Sequence, residues 1–198
     1  MEYEILAPAI FLYEFPESLS KDLVNLLNED LDWKKSGVGV GGDQDQQIRT
    51  SKSFPFEQEM PLAADKVKSI MIQCVNHYME HHNIMVTQDE GLDLLRYEPS
   101  NKYDYHIDSD WRMYRTVSML IYLNPTEYEG GETHFKHFDV NVKPEYPSIV
   151  VFPSNYAYEH SAKPVTSGVK YVLVTWGNDL PHRMSHLIMA NIAASVGM

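Results

Sequence analysis

The chain has a single cysteine, Cys74, in 198 residues. One cysteine excludes an intrachain disulfide, zinc sites built from several thiolates, and iron–sulfur clusters held by four cysteines. Any metal must therefore be held by imidazole and carboxylate groups. Base is scarce too: 16 Lys and Arg stand against 28 Asp and Glu, a formal charge of −12. Nonspecific binding along a phosphate backbone needs clustered cations, so nucleic acid is not an expected partner. No apolar run approaches the roughly 18 residues that a membrane span needs, so no membrane partner is expected. The N-terminal Met1-Glu2-Tyr3-Glu4 carries acid where a secretory signal carries base. A cytoplasmic protein is the default expectation. Internal repeats and low-complexity tracts are absent.

What is present is enough apolar and aromatic residues, 43% and 12%, to build a core. At this length one domain spanning 1–198 is the economical plan. Ile5 to Tyr13 reads as an apolar strand. From Ser18 or Ser20 as N-cap, Leu19, Leu23, Leu26, Leu27 and Leu31 recur at helical spacing. Ser36 to Gln47 is rich in Gly and polar residues and reads as a flexible loop. Ile48 to Phe56 is a short strand candidate. A second amphipathic helix is predicted from about Pro61 to Tyr78, with Leu62, Val67, Ile70, Met71 and Val75 as its stripe. Helical support thus occupies about 17–80.

Beyond residue 90 the pattern changes to short apolar or alternating runs broken by Gly, Pro, Asn and Asp. The candidates are 92–97, 103–107, 115–123, 132–138, 140–143, 148–152, 157–161 and 169–176. Strands at that spacing predict a sandwich, jelly roll or barrel over about 90–178. Pro181 to Ser195 has helical periodicity. The fold class is α+β with a mainly β core, N-terminal helices packed on it and a C-terminal helix.

Within the β region stands His106-Ile107-Asp108. Residues i and i+2 of a strand face one side, so an imidazole and a carboxylate point into one space. His160 ends another short run. Two histidines and a carboxylate can occupy one face of an iron(II) octahedron and leave the opposite face open. Lys170 is the only charge in the apolar run Val169 to Trp176, which calls for an anionic partner or a route to solvent.

The order of motifs resembles the iron(II)/2-oxoglutarate-dependent dioxygenases, and among them the prolyl 4-hydroxylase-like group. Arg49-Thr50-Ser51 is similar to that group's Arg-x-Ser strand. Tyr97, Tyr103 and His106-Ile107-Asp108 follow its Tyr…Tyr-x-x-His-x-Asp spacing. Arg115 to Asn124, Gly130-Gly131-Glu132-Thr133-His134-Phe135, Val142-Lys143-Pro144, Ile149 to Phe152, His160, Gly168, Lys170-Tyr171 and Trp176 complete the series over roughly 48–178.

The resemblance implies a double-stranded β-helix, or cupin-like jelly roll, and hydroxylation of a C–H bond, with a peptide or protein as substrate and proline first. His106, Asp108 and His160 would bind iron(II). Lys170 would pair with the distal carboxylate of 2-oxoglutarate, and Tyr97 would donate a hydrogen bond to it. Arg49, Ser51, Tyr103, Arg115 and Trp176 would line the substrate pocket. O2 is the oxidant, and ascorbate a candidate reductant. Oligomeric state is open. The alternatives are hydroxylation of a free amino acid or other small molecule, and a cupin-like metal-binding module without turnover. Nucleic-acid demethylases of the superfamily anchor with Arg where Lys170 stands, and halogenases lack the carboxylate that Asp108 supplies. Two departures bear on substrate: Ser100 replaces a usual Gly, and Gly177-Asn178 follow Trp176 where prolyl hydroxylases often carry His.

Other residues have plainer readings. Gly130 and Gly131 supply a turn into a strand. His77 with His81, and His182 with His186, are expected to be surface histidines. His134 and His137 near Glu132 are a weak second metal cluster. Tyr156 and Tyr158 are expected to pack in the barrel, and Cys74 to be inert core.

Overall fold

A computed structural model of the chain describes residues 2–27, 31–37, 47–110 and 113–179. The expected C-terminal helix and most of the 36–47 loop lie outside the described residues. In chain order the elements are β1 (Tyr3–Ala7), β2 (Ile10–Glu14), α1 (Glu17–Leu26), β3 (Lys34–Lys35), β4 (Lys52–Phe54), α2 (Phe56–Glu59) and α3 (Pro61–His82). Next come β5 (Gln88–Asp89), β6 (Asp93–Tyr97), β7 (Tyr103–His106), β8 (Val117–Tyr122), β9 (Tyr128–Gly130), β10 (Thr133–Phe135) and β11 (Val140–Val142). The last are β12 (Ser148–Pro153), a 3-10 turn at Tyr156–Tyr158, β13 (His160–Ala162), β14 (Val165–Gly168) and β15 (Lys170–Asn178).

A nine-stranded major sheet runs β1-β2-β12-β8-β15-β6-β4-β3, with β5 on β15. A four-stranded minor sheet runs β11-β10-β13-β7, and β14 pairs with β9. The strand pairings among the described residues are antiparallel, as expected of a jelly roll.

The major sheet is buried on both faces, so its strands read as continuous apolar runs rather than clean alternation. One face meets the helices. Phe11 and Tyr13, Val117, Met119 and Ile121, Ile149 and Val151, and Leu173 pack against Val67, Met71, Cys74, Val75 and Tyr78 of α3. Each large side chain so buried contributes about 1.5–3 kcal/mol. The other face meets the minor sheet through Leu12, Tyr122, Val150 and Phe152 on one side and Phe135 and Val142 on the other. Further along, Leu95, Tyr97, Val172 and Val174 face the same interior. The inner residues of β8 are therefore Ser118, Leu120 and Tyr122. Those of β15 are Lys170, Val172, Val174 and Trp176.

Several expectations needed correction. Ile5 to Tyr13 is not one strand but a hairpin, because Pro8 has no N–H to give a ladder and Ala9 turns the chain at φ 55°. Tyr78 Oη donates to the Ala9 carbonyl at 2.9 Å and ties that turn to α3. Helix α1 starts at Glu17 after Pro16, and neither Ser18 nor Ser20 caps it. Ser20 Oγ instead donates to the Leu123 carbonyl. The helix stops at Leu26, since Leu27 is extended. Helix α3 runs past Tyr78 to His82 and closes on Asn83 in the left-handed region. The Pro164–Gly168 stretch contributes a strand, β14, as well as a turn. Tyr156 is exposed, and Tyr158 packs on Phe138 with its hydroxyl on the Pro8 carbonyl. His77 is half-buried and bonds the Tyr13 hydroxyl at 3.0 Å. No helix among the described residues is long and apolar enough to cross a membrane.

Candidate functional site

His160 and His106 are a directly opposed cross-strand pair on β13 and β7. Cross-strand partners project to one face, which brings residues 54 positions apart in sequence into ring contact, with centroids 4.3 Å apart. Asp108, two residues past His106, completes the group. Its Oδ1 lies 3.6 Å from His106 Nε2 and its Oδ2 3.7 Å from His160 Nε2. One ligand atom from each residue lies within 4.8 Å of the others, and among the described residues this is the one such metal-capable group.

The surroundings prepare these groups as ligands. His106 Nδ1 meets the Asp104 carbonyl at 2.9 Å, and His160 Nδ1 meets the Tyr158 carbonyl at 3.0 Å. A carbonyl only accepts, so each Nδ1 carries the proton and each Nε2 presents its lone pair to the shared space. Burial and the neighbouring His160 push the His106 imidazole down to about 3, so it is neutral. Burial opposes ionisation of Asp108, yet the two histidines and a hydrogen bond from Ser118 hold its carboxyl below the usual range. Ser118 Oγ donates to Asp108 Oδ2 at 2.6 Å and lies 2.8 Å from Ser154 Oγ. Two imidazoles and one carboxylate are the donor set that suits non-haem iron(II). Phe135 and Phe152 pack on His160, and Tyr103 stacks on His106 at 3.6 Å.

The trio lines a cavity of about 520 Å³ that also takes in Lys170. Lys170 is only 2% exposed. It stands opposite Tyr97 in the β15–β6 register, with Nζ 5.3 Å from the Tyr97 ring centroid and 5.0 Å from that of Tyr122. Its Nζ donates to the Gly131 carbonyl at 2.8 Å. Among the described residues no carboxylate lies within ion-pair distance of it. Burial without such a partner pushes the amine down to about 7, although Glu132 pulls the other way. The Gly130-Gly131 pair has φ of 69° and 67°. A Cβ on Gly131 would press on Val165 Cγ2 at 3.0 Å and Tyr128 Cε2 at 3.2 Å and would just touch Lys170 Cδ at 3.4 Å, so the turn favours glycine here. A buried ammonium with one neutral acceptor fits an incoming carboxylate.

Between the trio and Lys170 the walls are apolar: Leu95, Leu120, Ala162, Val172 and Val174. Such walls keep a site dry. Four of the expected pocket residues, Arg49, Tyr103, Arg115 and Trp176, line the cavity. Ser51 does not: it is buried, accepts from Arg49 Nε at 3.0 Å and bonds Ser36 Oγ at 2.9 Å. Arg49 Cζ lies 4.6 Å from the Tyr103 centroid. Arg115 Cζ sits 3.6 Å from the Trp176 centroid, and its guanidinium grips Glu90 twice, at 2.8 and 2.6 Å. Sequence reasoning missed Glu90, Ser118, Tyr122 and Thr133, whose Oγ1 accepts from Tyr122 Oη at 2.6 Å. For Ser118 a signal existed: it alternates with Leu120 and Tyr122 on the inner face of β8. For Glu90, 25 residues from Arg115, none did.

The second histidine cluster, His134 and His137, has structural partners, while His182 and His186 lie outside the described residues. His134 Nδ1 bonds Tyr105 Oη at 2.5 Å, and its Nε2 meets Asp139 at 3.2 Å. His137 Nε2 lies 3.6 Å from Glu159. Cys74 is a buried thiol outside any disulfide, pushed up to about 12 by burial.

A jelly roll with two imidazoles and a carboxylate at the mouth, and a buried lysine deeper in, defines a non-haem metal oxygenase class. The sequence model of the 2OG-Fe(II) oxygenase superfamily matches residues 92–178. A PKHD-type hydroxylase of Shewanella sp. strain MR-4 is 28% identical over 177 residues, which cover 83% of this chain and 77% of that protein. A putative prolyl 4-hydroxylase of Acanthamoeba polyphaga mimivirus is 27% identical over 152 residues, 67% of this chain and 59% of that protein. Among solved structures, a Trichoplax adhaerens prolyl hydroxylase in complex with a hypoxia inducible factor peptide fragment superposes with TM-score 0.73 at 21% identity, over 86% of this chain and 84% of that one. A Pseudomonas putida prolyl-4-hydroxylase gives 0.69 at 21%, over 86% and 93%; both bear on the fold. These matches support reading the chain as a 2OG-Fe(II) oxygenase of the prolyl 4-hydroxylase-like kind. It is a dioxygenase whose chemistry uses iron(II), 2-oxoglutarate and O2.

Proposed function

We propose that this dioxygenase hydroxylates a prolyl residue of a peptide or protein, with His106, Asp108 and His160 holding iron(II) and Lys170 anchoring 2-oxoglutarate. The observation that carries the reading is the sharing of one cavity by a three-residue donor group and a buried lysine without a carboxylate partner. When bound, iron(II) would activate O2 with 2-oxoglutarate as the two-electron reductant, so that 2-oxoglutarate leaves as carbon dioxide and succinate carrying one oxygen atom and the other oxygen atom forms the new hydroxyl group. The chain's residues hold and aim. Asp104 and Tyr158 carbonyls keep both imidazoles in the ligand tautomer, and Ser118 steadies the Asp108 carboxylate. Lys170 neutralises the distal carboxylate, and Tyr97 beside it donates the second hydrogen bond. Leu120, Val172 and Val174 exclude water from the space between.

Arg49, Tyr103, Arg115 and Trp176 form the rim that a substrate backbone would cross, with Ser51 positioning Arg49. The names of the relatives favour proline as the residue modified. The test incubates the full chain with iron(II), 2-oxoglutarate, ascorbate and proline-containing peptides in air. The expected result is succinate together with a peptide heavier by one oxygen on proline, both lost in His160→Ala. Succinate with no oxygenated peptide across a broad proline library would overturn the peptide assignment. Retained stoichiometric iron in His160→Ala would overturn the metal assignment.

A further inference from the structure

Besides the donor trio and Lys170, four charged side chains line the cavity, Arg49, Arg115, Asp93 and Asp110. Asp110 accepts from the Met113 N–H at 3.0 Å. Arg115 is already satisfied by the two-point contact with Glu90. Arg49 is held by the Gly37 carbonyl at 2.9 Å, by Ser51, and by its place over Tyr103. Asp93 differs. Its carboxylate makes no hydrogen bond or ion pair with any described residue, although Arg49 and Arg115 lie near enough to act on it electrostatically.

The strand geometry says where this carboxylate stands. Asp93, Leu95 and Tyr97 alternate toward the cavity along β6. Tyr97 is opposite Lys170, and Asp93 is opposite Val174, one inward position before Trp176. Four residues of strand put Asp93 about 13 Å from the co-substrate anchor. It therefore belongs to the rim, where a substrate would enter, and not to the 2-oxoglutarate end. Aspartate is a poor strand former, and Asp93 is exposed to solvent at the cavity edge, although desolvation by the surrounding protein still raises its carboxyl above the usual range. Nothing in the packing of the fold uses it, since the strand's core contacts come from Leu94, Leu95 and Tyr97.

We infer that Asp93 selects the substrate by pairing with a cationic side chain, lysine or arginine, placed near the hydroxylated residue of a peptide. The inference rests on the peptide reading above. An extended peptide advances about 3.3–3.6 Å per residue, so a long basic side chain one to three positions from the target can reach Asp93. The surplus charge of −12 draws the same class of peptide toward the protein.

The experiment uses the full chain loaded with iron(II) and 2-oxoglutarate and sets of capped peptides around one proline. Each set places Lys, norleucine or Glu at one position within three residues of the proline. At one of these positions the Lys peptide should show a KM about fivefold below that of the norleucine peptide, with Glu worse still, and the advantage should shrink as salt rises. Asp93→Asn should erase the preference, Asp93→Glu keep it, and Asp93→Lys invert it toward the Glu peptide. Equal KM for Lys and norleucine peptides at every position, or a preference that survives Asp93→Asn, overturns the inference while leaving the hydroxylase reading intact. If no peptide is oxygenated, affinities on the manganese(II)-loaded protein with 2-oxoglutarate decide. Lys-selective binding that depends on Asp93 supports the inference even as the reaction assignment fails. Absent or charge-blind binding brings the inference down as well.

Discussion

Lys170→Met should make the ligand-free protein more stable while abolishing its response to 2-oxoglutarate. Methionine keeps a long flexible side chain and removes the amine. In the wild type, burial takes the amine from 10.5 to about 7. At about 1.4 kcal/mol for each tenfold, holding this group at neutral pH costs the fold on the order of 4 kcal/mol. The substitution removes that cost but leaves the Gly131 carbonyl unpaired, a loss of about 1–2 kcal/mol. The net gain is roughly 2–3 kcal/mol, or a melting temperature higher by about 5–10 °C for a chain of this length.

The same lysine sets a pH dependence. Its folded pKa lies below its unfolded value, so the unfolded chain binds more protons between pH 7 and 10.5. Ligand-free stability therefore rises with pH across that window and is little affected by this group below 7. Co-substrate binding runs the other way. A carboxylate needs the ammonium, so affinity should fall about tenfold for each pH unit above 7, with a proton taken up on binding. Differential scanning fluorimetry with and without 2-oxoglutarate, and anaerobic calorimetry from pH 6.5 to 9, check both statements. A wild-type affinity flat over that range, or a Lys170→Met protein that melts lower and still binds 2-oxoglutarate, would refute the reasoning.

Two further outcomes follow from the geometry. Ser118→Ala removes the hydroxyl that donates to Asp108 and should weaken iron(II) binding about 10- to 100-fold with the fold retained, as read by metal titration. Unchanged affinity would show that Ser118 only fills space. Gly168 has φ 73°, and a Cβ there would collide with the Glu127 carbonyl oxygen. Gly168→Ala should cost at least about 1–3 kcal/mol in urea unfolding and loosen the β14–β9 pair, whereas a neutral result would mean that this turn relaxes freely.

The β-rich class was legible in the run of short alternating segments, whereas the ligand group rests on the order of motifs that resembles that of the oxygenases. His106 ends β7 and Asp108 lies in a bend two residues beyond it, so strand alternation pointed to the pair but the bend is what turns the carboxylate toward the imidazole. Lys170 was conspicuous because a charge inside an apolar strand must be answered somewhere. The boundaries that went astray lay where long-range contacts outbid local preference. Ser20, a good cap by propensity, spends its hydroxyl on the Leu123 carbonyl 103 residues away. The short β14 exists because β9 offers it a partner.

By itself the sequence determined which chemical groups were available: one thiol, an acidic surplus, and a His-x-Asp pair and a lone lysine set in a run of strands. Only the tertiary structure decided what those groups meet. Opposing β13 to β7 put His160 against His106, the Gly131 turn set its carbonyl on Lys170, and Glu90 cancelled Arg115 while Asp93 stayed open. The physical reason is distance. Periodicity reports which side of an element a residue faces, whereas pairing across strands, which sets charge against charge, depends on the register of segments far apart in the chain.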